Sequence, residues 1–214
     1  MTVQLTGHLT SVQPFDFGKS LAFIDGFPPI RGEQSRAGLS LTRGVMVAGR
    51  PVVFRLAEAG SGLQYQIWSE SAAPLEPLRP AIEDRLRFYL SLEDALEPFY
   101  AIGRQDAAFA PLVESLYGFH QVKFMTPFEN AVWAVLTQRT PMTRARRMKA
   151  ALIASHGATP TVDGQSYPIF PQADQLAGLT RLFVNDAFQR GRQLCGRPGR
   201  LDLLGRLPQA APHR

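Results

Sequence analysis

The sequence offers one cysteine, Cys195, which excludes an internal disulfide and any cysteine-held zinc or iron–sulfur centre. Its four histidines are scattered and give no metal-ligand spacing, so neither a metal nor a cofactor is expected. The opening MTVQLTGHLT lacks the positive start and apolar run of a secretion signal, and no apolar stretch approaches the ~20 residues that cross a bilayer. A soluble chain in a reducing cytoplasm is expected. Acid is missing from one region in particular. The net charge is +5, and the segment 139–149 contains Arg139, Arg144, Arg146, Arg147 and Lys149 with no Asp or Glu, so the excess is local and the rest of the chain is near neutral. A concentrated excess is the electrostatic footprint of a polyanionic partner.

What is present confirms a globular chain, with 45% hydrophobic and 19% charged residues over 214 positions, enough for a sizeable core. The charged segment lies within the clearest helical signal, from Thr126 to His156. Phe128, Ala131, Val132, Val135 and Leu136 recur at helical spacing, with Thr126 as N-cap, Pro127 at the first position and Glu129 in the first turn. Pro141 ends that helix over Pro127–Gln138 and starts a second, to His156, capped by Thr140. Met142, Ala145, Met148, Leu152 and Ile153 form its apolar stripe, which leaves Arg144, Arg146, Arg147 and Lys149 largely toward solvent. The short polar corner of Gln138, Arg139 and Thr140 between two helices is suited to a phosphate backbone. An ordinary solvated helix is the alternative, and Gln138 could equally cap a helix end.

Upstream, Val3 to Leu9 alternates as a strand, and Asp16 caps a helix in which Phe17, Leu21, Phe23 and Ile24 share a side. Gly38 to Glu70 holds three strand-like runs, broken at Ala48-Gly49-Arg50-Pro51 and at Ala59-Gly60-Ser61-Gly62, which predicts an antiparallel meander with a helix on one face. Proline-rich 74–80 reads as a linker, followed by helices over 81–88, 92–103, 109–118 and 172–180. The expected division is an α+β domain over 1–80, a mostly α-helical domain over 81–185 and an irregular tail over 186–214. Other polar groups read as bland: Glu93, Asp94 and Glu97 complement a helix dipole, His120 and His156 lie by helix ends, 196–199 is too irregular for a phosphate loop, and Cys195 has no partner base.

Pro14-Phe15-Asp16-Phe17 followed by Ser20-Leu21-Ala22-Phe23, the region from Phe99-Tyr100 to Ala110-Pro111-Leu112, and above all Phe128 to Arg139 resemble helix-hairpin-helix DNA glycosylases of the 3-methyladenine DNA glycosylase II type, from about Val3 to Leu182. The resemblance implies base excision repair: double-stranded DNA is bent, an alkylated purine is flipped into a cleft, and its N-glycosyl bond is hydrolysed without a metal. It places the side chain that fills the vacated stack at Arg139, flanked by Gln138 and Thr140. It also implies an aromatic base pocket near Phe23 and Trp133, residues that could otherwise be core.

Two hallmarks of that family are missing. A Leu-Pro-Gly-x-Gly hairpin is not found, since Leu207-Pro208-Gln209-Ala210 lacks the glycines, and a downstream aspartate is represented only by Asp186 and Asp202. No catalytic residue is assigned. The change of composition after about residue 195 predicts a lost reading frame or truncation, weak or absent turnover, and residual DNA binding through Arg139, Arg144, Arg147 and Lys149, with a monomer expected if the fold is complete. A non-catalytic DNA-binding module and a fragment acting in protein association are the alternatives.

Overall fold

The computed structural model of the chain describes residues 3–178. Five antiparallel strands, β1 (Val3–Thr10), β2 (Gln34–Arg36), β3 (Ser40–Val47), β4 (Arg50–Ala59) and β5 (Gly62–Trp68), form a sheet in the order β1-β5-β4-β3-β2. Both expected turns close hairpins. Val47 pairs with Arg50 across Ala48 and Gly49, whose φ values of +47° and +74° are the left-handed pair a two-residue turn requires. The short edge strand β2 carried no usable alternation and was not anticipated.

Helix α1 (Phe17–Gly26) begins where Asp16 accepts from the Lys19 backbone N–H at 3.0 Å, and buries Phe17, Leu21 and Ile24. It packs on the sheet together with α2 (Arg79–Leu90), which contributes Ile82, Leu86, Tyr89 and Leu90 to the same core. The expected linker at 74–80 is therefore part of this cluster, with Leu75 buried and Arg79 bonded to the Thr6 carbonyl. The expected division at residue 80 runs through a shared core.

Shorter helices α3 (Glu97–Gly103) and α4 (Ala110–Ser115) precede α5 (Pro127–Thr137) and α6 (Met142–His156). A two-stranded ribbon, β6 (Thr161–Val162) with β7 (Gln165–Ser166), and α7 (Ala173–Ala177) follow. The segment after α6 covers the sheet's second face, where Val162 and Tyr167 pack on Val53 and Trp68. Gly44 is needed there, because a Cβ would meet Ile169 at 2.5 Å. This double cover explains why β3 is buried almost throughout instead of alternating.

Thr126 caps α5 as expected, accepting from Glu129 N at 3.0 Å. Its inward side differs from the expected one: Val135 is 61% exposed and Ala131 is exposed, whereas Glu129, Trp133 and Leu136 are buried. In α6 the shift is similar, with Met142 exposed and Lys149 buried beside Ala145, Met148 and Ile153. No helix among the described residues is long and apolar enough to cross a membrane.

Candidate nucleic-acid interface

Four charged side chains explain both shifted faces. Lys149 is 2% exposed, with its Nζ 2.5 Å from Glu33 Oε1, 2.7 Å from Glu129 Oε1 and 3.1 Å from the Pro29 carbonyl. Arg43 on β3 completes the group, donating through Nη2 to Glu33 at 2.9 Å and to Glu129 at 3.4 Å, and through Nη1 to Tyr89 Oη at 3.2 Å. Two cations and two carboxylates so placed tie α5 and α6 to the sheet, and one unpaired member would be costly. Burial pushes the Glu33 carboxyl above its usual range against the pull of Arg43 and Lys149. Burial opposes the Arg43 charge, but Tyr89, Glu129 and Glu33 outweigh it and hold the guanidinium above its ordinary pKa. Lys149 is thus removed from the expected DNA-contacting set, because its charge is spent inside the protein.

The arginines stand differently. Between α5 and α6, Gln138 and Arg139 are exposed and Thr140 is half-buried, with Arg139 at φ +50° in the left-handed region that makes the corner sharp. Thr140 does not cap α6: its hydroxyl donates to the Gln138 carbonyl at 3.0 Å, and Pro141 holds the cap position without a side-chain bond. Arg144 is half-buried and Arg147 exposed. Among the described residues, no carboxylate pairs with Arg31, Arg139, Arg144 or Arg146.

The two residues expected in a base pocket are separated. Phe23 lines a cleft of about 480 Å³. Phe27, Phe88 and Phe124 line it too, with Lys123, Thr126 and Asn130 as polar wall residues. Phe23 stacks on Phe27 at 5.2 Å between centroids, and Phe27 meets Phe124 edge-on at 5.5 Å. Lys123 lies over the Phe88 ring at 5.0 Å, with Asp94 at 3.9 Å. Trp133 does not reach this cleft. It belongs to the α5–α6 core with Leu136, Ala145 and Met148, and Phe124 of the cleft wall lies 6.5 Å from its ring. Phe27, Phe88 and Phe124 escaped sequence reasoning because they come from three distant segments, and the abundance of phenylalanine, 14 residues, was the only available signal.

Among the described residues, no carboxylate lines the cleft and no group of three metal-ligating side chains occurs. Asp186, Asp202 and the tail that was expected to depart from the family lie outside the described residues. His120, expected to be structural or solvated, is buried between the Ser91 and Pro14 carbonyls at 2.7 and 2.9 Å.

An antiparallel sheet followed by packed helices is a fold that solved DNA glycosylases also have. Over 102 residues, 48% of the chain, it is 26% identical to a DNA-3-methyladenine glycosylase of Bacillus subtilis (strain 168). The fold resembles 3-methyladenine DNA-glycosylase from Archaeoglobus fulgidus, with a TM-score of 0.62 and 17% identity over 88% of this chain and 66% of that one. It also resembles an 8-oxoguanine glycosylase/lyase from Clostridium acetobutylicum, solved with double-stranded DNA containing cytosine opposite 8-oxoG, with a TM-score of 0.56 and 13% identity over 91% of this chain and 63% of that one. The match spans about a third, 34%, of the curated relative's length. No family model matches the chain.

Proposed function

We propose that this chain grips double-stranded DNA at a damaged base, with the α5–α6 corner against the duplex and the aromatic cleft receiving an extruded alkylated purine such as 3-methyladenine. The observation that carries the reading is that one helix joins the two places. Asn130 lines the cleft, Gln138 forms the corner, and exposed Ala134 lies between them at helical spacing, so a single solvent side of α5 runs from one to the other. Eight helical steps from Asn130 to Gln138 set their separation at about 12 Å. Arg139 at the corner fills the gap left in the stack, and Arg144 and Arg147 hold phosphates beside it. Four phenylalanines give a flipped base π-faces to stack on, and a methylated, poorly paired base is the cheapest to extrude.

Hydrolysis of the N-glycosyl bond needs a group to support the cationic sugar and the attacking water, and no carboxylate among the described residues lines the cleft. In this reading the chain is a damage-binding glycosylase relative with little base release. A competition titration of the purified chain between methylated and untreated duplex DNA, with release of 3-methyladenine followed in parallel, tests this. Preferential binding of methylated DNA with little release is expected, and equal affinity for the two duplexes would overturn the base-binding reading.

A second reading rests on α3 and α4, where Phe99, Ile102, Leu112 and Leu116 are 51%, 70%, 48% and 44% exposed. Association through that face predicts concentration-dependent elution in size exclusion, whereas a monomer at all concentrations removes it.

A further inference from the structure

Beside α6, and separate from the aromatic cleft, lies a groove of about 470 Å³. Its α6 wall presents Thr143, Arg146 and Arg147, and its opposite wall presents Arg31, which follows the turn of prolines 28 and 29. Neither Arg31 nor Arg146 pairs with a carboxylate among the described residues. The one acid in the lining, Glu33, is already bound by Arg43 at 2.9 Å and by Lys149 at 2.5 Å, so it does not offset these arginines. Arginines thus face the groove from two elements that are far apart in sequence. Only the second of them belongs to the charge-rich segment that the sequence marks.

We propose that this groove is a phosphate track that takes up a DNA strand leaving the corner, with Arg31 and Arg146 as its contacts. The inference rests on the DNA-gripping reading above and adds the direction in which the strand runs. The groove starts at Thr143, four residues beyond Arg139, and follows α6 to Ala154. Eleven helical steps cover about 16 Å. A strand crossing at Arg139 and lying along this wall meets Arg146 and Arg31, which offset part of its charge with no rearrangement of the buried ion group beneath.

The test is the salt dependence of binding to a duplex of about 20 base pairs, measured with the full chain as wild type, as the double variant Arg31→Gln/Arg146→Gln, as Arg31→Lys/Arg146→Lys, and as the corner variant Arg144→Gln. The double glutamine variant is expected to lower the slope of log K against log salt by about 1 to 2, and the double lysine variant to keep it. A glutamine variant that titrates like wild type, while Arg144→Gln lowers the slope, overturns the groove and leaves the DNA-gripping reading intact. A wild-type chain whose binding is absent or indifferent to salt overturns both. If the glutamine pair fails to fold, Arg31→Gln alone, at an exposed position, carries the same comparison with an expected loss of about 1 in slope.

Discussion

Lys149 is the residue on which charge counting and structure part. In sequence it belongs to a run of five cations, yet it lies between Glu33 and Glu129 at 2.5 and 2.7 Å with 2% of its surface exposed. Replacing it with Met leaves two buried carboxylates facing only Arg43, so Lys149→Met is expected to cost about 3–5 kcal/mol in urea unfolding. Adding Glu129→Leu is expected to recover much of that loss, because the orphaned acid leaves with its partner. Tyr65 supplies a pH signature of the sheet core. Its hydroxyl donates to Glu83 at 2.5 Å and accepts from Arg79 at 2.6 Å, and burial, then Glu83, pushes its pKa up to about 12 from 10.0. The folded value lies above the unfolded one, so this contribution is whole below pH 10 and is lost as pH rises toward 12. Tyr65→Phe should flatten the fall of stability across that alkaline window in chemical denaturation.

At the scale of elements, local chemistry was legible and burial was not. The caps of α1 and α5 by Asp16 and Thr126 follow from side chains three residues from the N–H groups they accept, and the two tight turns follow from Ala48-Gly49 and Gly60-Ser61. The faces of α5 and α6 were misread because apolar periodicity assigns every Glu and Lys to solvent. The partners that bring Glu129 and Lys149 inward lie 86 and 116 residues away in sequence, at Arg43 and Glu33. Trp133, which the resemblance placed near the base pocket, sits in the interhelical core. The cleft itself predicts a stacking role for its rings. Phe23→Ala is expected to lower the affinity for methylated duplex by about 1–3 kcal/mol while barely changing that for untreated duplex, as read in paired titrations.

Over the whole molecule, the sheet, α1 and α2 make one core, and the buried ion group fastens the α5–α6 pair to it. The basic corner is therefore anchored to that core, with the cleft and the corner at opposite ends of α5. The local charge excess seen in the sequence survives in Arg139, Arg144 and Arg146, which pair with no carboxylate among the described residues, without Lys149. If that surface exists to hold a sugar–phosphate backbone, counterion release must dominate its binding. The most direct measurement is fluorescence anisotropy of a labelled duplex titrated with the full chain and with Arg139→Gln/Arg144→Gln across rising salt. The account predicts wild-type affinity that falls steeply with salt and a double variant with a slope smaller by about 1 to 2. Affinity unmoved by salt, or a double variant that binds like wild type, would contradict it.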